Sequence, residues 1–347
     1  MAEAPAELLL MVVLICGWAA TFARGELSSS VSDTLQGVNE QGPYLGIVVP
    51  NSFEMSPLLQ SSSFTVDELL PHLDISGRRF RFGRLENKKV IIVMTGLSML
   101  NAGVTTELLV TLFKVEGVLH YGIAGNANPD LEIGDVTIPR YWAHSGLWNW
   151  QRFGDGPNQE LSLESNGDYT RKIGYLNISS FNVNHTKNGY LQDNLLNNIW
   201  YQPEEVFPVD GTPEQRQHAF WVHVDLHYLS VSQKVKELKL EQCVNSTLCL
   251  PRAPVVAMVD RAVSANVFLD NSAYRTFLHT KFNVSTIDME TAAVALICQE
   301  LRVPFIAFRS LSDLAGGGSA LSNEASEFTA LASQNAVLVL IKFVSLL

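Results

Sequence analysis

Between Pro304 and Gly316 the chain reads PFIAFRSLSDLAG, a short apolar run closed at both ends by residues that interrupt regular structure. A run without polar alternation, here Phe305 to Leu311, predicts a strand buried on both faces of a mainly parallel sheet, which helices must then cover. Just before it, Thr291 to Leu301 is rich in Ala, Leu, Ile and Val with few charges, and Arg302-Val303-Pro304 follows. That pattern predicts a helix packed on several sides and stopped at the proline. Two carboxylates frame the pair. Glu290 opens the helix, and Asp313 falls just past the carboxyl end of the strand, where open α/β sheets bind ligands, ahead of the pliable Gly316-Gly317-Gly318. A lone Glu in a first helical turn serves the helix dipole, so its meaning depends on the rest of the chain.

The rest supplies more strands of the same kind. Tyr44 to Val49 reads YLGIVV, and Pro50-Asn51-Ser52 leads from it into a helix beginning Phe53-Glu54-Met55, so Glu54 also stands at a strand's carboxyl end. Phe80 to Leu85 and Lys89 to Met94 read as two strands, the second running into Thr95-Gly96-Leu97-Ser98, with a covering helix from Val104 to Phe113. Gly117 to Ile123 is a further buried strand entering Ala124-Gly125-Asn126, followed by LEIGDVTIP from Leu131 to Pro139. Val255 to Val263 is another strand, and Asn323 to Leu347 closes the chain as an amphipathic helix.

The segments DMETAAVAL and FRSLSD, in this order, resemble the purine nucleoside phosphorylase and methylthioadenosine nucleosidase superfamily, as do the GIAG loop and the LEIGDVTIP hairpin. The resemblance covers roughly residues 45–139 and 254–340. It implies a single α/β domain with a mixed central sheet flanked by helices, and an active site for cleaving nucleosides at the N-glycosidic bond. That chemistry needs an acid for the departing base, contacts favouring an oxocarbenium-like sugar, and a nucleophile. By resemblance Asp313 protonates or hydrogen-bonds N7 of the base with help from Ser312, Glu290 holds the ribose hydroxyls, Met289 packs on the sugar, and Glu54 handles the attacking water. Thr95 and Gly96 match the turn that approaches the ribose and, in phosphorylases, the phosphate. Ser98 departs from the pattern by standing where a second Gly is usual. Arg309 could orient Glu54, bind phosphate or form a structural ion pair. Asp288, two residues before Glu290 in the same motif, is not the sugar ligand by resemblance, so its replacement should be mild. VVAMVDRAV is read as the strand that ends in S-G-D with an aromatic nearby for the base. Asp260 then matches, Val259 replaces the Gly and Ala262 falls at the aromatic, leaving Phe268 or a Trp to substitute, or a pocket for a bulkier N6-substituted, cytokinin-type base.

Composition limits the alternatives. With 347 residues, 47% hydrophobic and 17% charged, the chain has a globular makeup, and a net charge of −11 leaves no basic surface for nucleic acid. Neither G-x-G-x-x-G nor G-K-[ST] occurs, so no nucleotide cofactor is implied, although phosphate remains open as a co-substrate. No metal is expected. His223, Asp225 and His227 lie in FWVHVDLHYLSV, whose alternation equally suits a half-buried strand or helix face, and Gln233 to Leu240 reads as a charged helix. Trp142, Trp148, Trp150 and Phe153 could wall an apolar ligand or fill a core.

Leu8 to Phe22 is an apolar run of signal-peptide length, with a signal anchor as the alternative because Glu3 and Glu7 flank it. Residues 1–24 are read as the signal, 25–43 as a flexible Ser-rich lead-in, and 44–347 as the domain, with a variable insertion around 150–250. Sequons at Asn177, Asn184, Asn245 and Asn283 and the close pair Cys243/Cys249, which a disulfide would staple, agree with the secretory pathway. Cys298, on the apolar helix, reads as a buried inert thiol. These features are most similar to the plant bark and vegetative storage branch of the superfamily. They imply a vacuolar or extracellular glycoprotein, without stable membrane insertion after signal removal, that forms a homo-oligomer. Two functions stay open: an enzyme acting by hydrolysis or phosphorolysis, and a storage protein that keeps the fold with little or no catalysis.

Overall fold

The computed structural model describes residues 27–150, 173, 175–177, 198–316 and 325–347. It separates into a unit ending at Gly42 and a unit from Pro43 to Leu347. The first contains α1 (Ser29–Gln41), begun by Ser28, whose hydroxyl accepts from the Val31 amide at 3.4 Å. Within the lead-in expected for 25–43, read as lacking a regular apolar period, Ser29–Gln41 is thus helical. Serines that weaken a helix interior satisfy its orphan donors at the N-terminus, and the Ser-rich stretch lies at that end.

The larger unit begins with β1 (Tyr44–Val49), α2 (Ser52–Leu59), β2 (Phe64–Val66), β3 (His72–Ile75), β4 (Arg78–Leu85), β5 (Lys88–Met94), α3 (Met99–Leu112), β6 (Val115–Asn126) and β7 (Val136–His144). Short strands β8 (Trp148–Trp150), β9 (Tyr175–Asn177), β10 (Asn198–Tyr201), β11 (Glu204–Val206), β12 (Gln217–Ala219) and β13 (Val222–His223) lead to α4 (Leu226–Ser232). It ends with β14 (Val256–Ser264), α5 (Ser272–Phe282), β15 (Val284–Asp288), α6 (Thr291–Glu300), β16 (Phe305–Leu314) and α7 (Ala325–Val344).

The continuous apolar runs are buried strands, as their lack of alternation requires: β1 and β15 are buried at every position and β16 at all but its last. The sheet is mixed. β1 lies parallel to β5 and β6, and β6 is parallel to β16. One side curls into a ring, because β16 also pairs with β7, β7 with β14, β14 with β15, and β15 returns to β6. The β15–β6 contact is antiparallel and limited to Thr286–Asn126 and Ile287–Gly125, at the carboxyl ends of both strands. The ring thereby gathers strand ends that an open sheet would leave apart.

Two features tie β16 into this ring. The Gly134 amide donates to Leu311 O and the Leu311 amide to Asp135 O, each at 2.8 Å, while the buried Asp135 carboxylate is held by Arg252 and the Val255 amide. Beyond Leu311 the strand does not stop as expected but runs to Leu314 through a bulge, with Leu311 opposite Ala124 and Asp313 opposite Gly125. Asp313 is therefore part of the strand, and the extra residue Ser312 re-aims it.

Two of the expected tryptophans, Trp142 and Trp148, belong to the core. Trp142 is fully buried and Trp148 packs on a cluster containing Tyr201, Val263 and Phe282, while Phe153 lies outside the described residues. Gln233 to Leu240 yields one 3-10 turn, Gln233–Val235, in place of the expected helix. Cys243 and Cys249 form the expected disulfide. Asn245 in that loop and Asn283 at the end of α5 are exposed, Asn177 ends β9, and Asn184 lies outside the described residues.

Candidate active site

A cavity of about 240 Å³ opens at the gathered strand ends, lined by Asn51, Glu54, Ile123 to Gly125, Val267 to Leu269, Ile287 to Glu290, Ser312 and Asp313. It unites the expected residues Glu54, Met289, Glu290, Ser312 and Asp313 from three separate stretches of chain. Thr95, Gly96 and Arg309 do not line it. The Thr95 hydroxyl turns to Gly96 O at 2.7 Å, and Gly96, at φ 84, donates its amide to Pro50 O, so both fix the crossing between β5 and β1.

Glu54 is 1% exposed and held at every polar atom. Asn51 caps α2: its Oδ1 accepts from the Glu54 amide at 3.0 Å and its Nδ2 donates to Glu54 Oε2 at 2.5 Å, the spacing of a capping box. The Ile123 amide donates to Glu54 Oε1 at 2.7 Å. Burial pushes Glu54 up to about 7, with Arg309 pulling the other way.

Glu290 starts α6 without capping it. Its Oε1 instead accepts from the Ser98 amide at 3.2 Å, across the cavity at the head of α3, and burial pushes it up to about 6. Capping falls to Asp288, whose Oδ1 accepts from the Thr291 and Glu290 amides at 3.2 and 3.3 Å. Asp288 also bonds the hydroxyls of Ser264 and Thr291 and faces Arg309 Nε at 2.7 Å. The expectation that losing Asp288 would be mild is therefore corrected: it is the joint between β14, β15, α6 and Arg309.

Arg309 is fully buried beneath these acids, facing Glu54 at 3.8 Å and Glu290 at 3.6 Å besides Asp288. Of its three expected roles, the orienting ion pair is the one its surroundings fit. Asp313 accepts from Ser312 Oγ at 2.8 Å, and burial raises its carboxyl above the ordinary range, opposed by that hydrogen bond and reinforced by Asp270.

The base wall shifts register. Asp260 does not end its strand but sits half-exposed beside Arg261 at 3.5 Å, while β14 continues to Ser264. The S-G-D position is thus Ser264-Ala265-Asn266, with Asn266 Oδ1 accepting from the Met99 amide at 2.8 Å and Phe268 standing in the cavity wall. Ala262 is core. An extended apolar strand offers several equivalent registers to a short motif, and only the strand end picks one.

Among the described residues no group of three or more His, Cys, Asp or Glu is arranged to hold a metal ion. His223 lies on β13 against the Tyr141 ring, and Asp225 caps α4 by accepting from the Tyr228 amide at 2.8 Å.

These features, a curled mixed sheet with acids collected at its carboxyl ends, define an α/β protein with an acid-lined site. The chain belongs to the Phosphorylase superfamily, whose pattern it matches over residues 44–345. It is 30% identical over 303 residues to bark storage protein A of Populus deltoides, covering 87% of this chain and 88% of that one. It is 25% identical over 268 residues to a 5'-methylthioadenosine/S-adenosylhomocysteine nucleosidase of Marinomonas sp. (strain MWYL1), covering 77% and 85%. The futalosine hydrolase of Helicobacter pylori strain 26695 shares the fold at TM-score 0.57 and 19% identity, over 88% of this chain and 98% of that one.

Proposed function

We propose that this protein is a nucleosidase that hydrolyses the N-glycosidic bond of a purine-type nucleoside. Glu54 accepts a proton from water, whose oxygen bonds to the anomeric carbon. The bond from that carbon to the base nitrogen breaks, its electron pair passes to the base, and Asp313 delivers a proton to the base. Glu290 accepts from the ribose hydroxyls, placing negative charge beside the developing cation, with Met289 against the sugar. The supporting observation is that Glu54, poised at about 7, and Asp313, raised by burial, line one cavity.

Water is favoured over phosphate because the donors that would cradle an anion are occupied. The Ser98 amide serves Glu290, the Met99 amide serves Asn266, and Arg309 is enclosed by carboxylates. Glu54 would further repel a phosphate dianion. With Phe268 in the wall, the argument for an N6-substituted base from a missing aromatic lapses. Turnover of adenosine, methylthioadenosine, inosine and cytokinin ribosides, with and without phosphate, tests all of this. Release of ribose 1-phosphate, with no turnover when phosphate is withdrawn, would overturn the hydrolytic reading.

The likeness to bark storage protein A supports a second reading, accumulation of the fold as a store. An absence of turnover across the whole screen would favour it. Under either reading we propose a signal-cleaved, vacuolar or extracellular glycoprotein, supported by the sequons and the Cys243–Cys249 bridge. A homo-oligomer is supported by Leu97, Leu100 and Val104, which are 62%, 74% and 48% exposed along the start of α3. Intact mass before and after glycosidase and reduction, with sedimentation, tests these assignments.

A further inference from the structure

His120 sits within β6, fully buried, and no step above uses it. Its Nδ1 lies 2.8 Å from the Val48 carbonyl on β1, and its Nε2 contacts Arg309 Nη2 on β16. A guanidinium has donors only, so Nε2 must accept, which leaves the ring's single proton on Nδ1 to donate to Val48. The tautomer follows from the partners. Burial, and then the Arg309 charge, holds the ring well below the ordinary histidine range, so it stays neutral.

The neutral ring completes the surroundings of Arg309. Nε and Nη2 reach Thr291 Oγ1 at 3.0 and 2.9 Å, Nη1 donates to Ile123 O at 3.2 Å, and His120 takes a further Nη2 proton. The charged groups facing this arginine are Glu54 from α2, Asp288 from the end of β15 and Glu290 ahead of α6, while the Tyr121 hydroxyl holds the Glu54 carbonyl. Asp288 is nearest, at 2.7 Å, and Glu54 most distant, at 3.8 Å. Remove the His120 acceptor and one guanidinium proton is unpaired in a dry site, a cost that turning toward Asp288 relieves at the expense of Glu54.

We infer that His120 is a positioning residue: as a neutral Nδ1–H imidazole anchored to Val48, it holds Arg309 within reach of Glu54 and so sets the base strength of Glu54. The consequence for rate rests on the nucleosidase reading, whereas the consequence for Glu54 titration does not. The full chain is therefore studied by carboxyl-carbon NMR of Glu54, imidazole-nitrogen NMR of His120, and pH-rate profiles, in the parent, His120→Leu and His120→Gln. In the parent, the His120 nitrogens should report the Nδ1–H tautomer without titrating across neutral pH. In His120→Leu the Glu54 midpoint should rise by about one pH unit and kcat near neutrality should fall about fivefold, with KM little changed. His120→Gln, which keeps an acceptor for Arg309 and a donor for Val48, should recover most of both. The inference is overturned if His120→Leu leaves the Glu54 midpoint in place, if Gln is as impaired as Leu, or if the parent ring is protonated at Nε2. A chain without turnover would sink the nucleosidase reading alone, since the Glu54 titration still decides the role of His120. Should His120→Leu fail to fold, the parent tautomer and the Gln variant decide it.

Discussion

Arg309 Nη1 and Glu54 Oε1 face each other at 3.8 Å over Gly122, where a Cβ would come within 2.3 Å of the first and 2.4 Å of the second. Only a residue without a side chain lets acid and cation approach on that strand. Gly122→Ala should therefore cost about 1–3 kcal/mol in urea unfolding by overpacking, and displacement of the Glu54 carboxylate should lower kcat by about 10²-fold. Gly37→Ala, at which a Cβ meets nothing within 4 Å, is the control. Equal behaviour of the two variants would contradict the reading.

Glu54 must be ionised to accept a proton from water, so kcat/KM should rise with pH through a midpoint near 7. Glu54→Gln should remove this limb and cost about 10²- to 10⁴-fold in rate. Stability runs the other way. The folded-state value lies above the ordinary 4.5, so the native protein keeps a proton that the unfolded chain has lost between 4.5 and about 7. Stability from this group should fall as pH rises across that window and be level above it, and Glu290 adds the same sign up to about 6. Urea midpoints measured across the window, flattened in Glu54→Gln, check the sign.

Asp313→Asn keeps size and an acceptor but cannot deliver an acidic proton, so it should lose about 10²- to 10⁴-fold in kcat with the fold intact. Turnover within about threefold of the parent would remove Asp313 from the acid role. Asp288→Asn should differ in kind. It strips the nearest carboxylate from a buried arginine, and breaking such a pair typically costs about 3–5 kcal/mol. Unfolding midpoints for both variants separate the two effects.

Ser98 has φ 98 and ψ 154, a conformation that glycine adopts and other residues resist. Its amide is held there by Glu290 at 3.2 Å. Strain of this kind costs about 1–3 kcal/mol, whereas glycine's extra chain entropy costs only about 0.5–1 kcal/mol. Ser98→Gly should therefore stabilise the protein while leaving KM unchanged. A lower unfolding midpoint would show that the serine side chain contributes more than its backbone costs.

What could be read from the sequence was whatever lies within one short segment. The buried strands announced themselves by uninterrupted apolar runs, and Glu54, Glu290 and Asp313 by falling at strand ends or helix starts. The network beneath them could not be read in this way. His120 meets Arg309 and Asp288 meets Ser264 across neighbouring strands, while Asp288 meets Arg309 and Glu290 meets Ser98 between elements farther apart, and no local spacing encodes any of these pairings. Asp260 matches the motif in sequence because β14 gives no sign of its true end, and α1 escapes the pattern because its serines cap a helix as readily as they decorate a loop. The signal that could have found His120 is plain: a histidine inside an otherwise apolar strand must bond something buried.

Three acids around one arginine and one neutral imidazole leave the pocket short of positive charge, with burial pushing two of those acids up to about 7 and about 6. Such a pocket carries part of a proton at neutral pH, and a ligand that drives out its water changes how much. Binding should then exchange protons with the medium, and the heat of binding should vary with the ionisation enthalpy of the buffer. The slope of that dependence counts the protons moved, giving a reading of the site's charge state that needs no turnover.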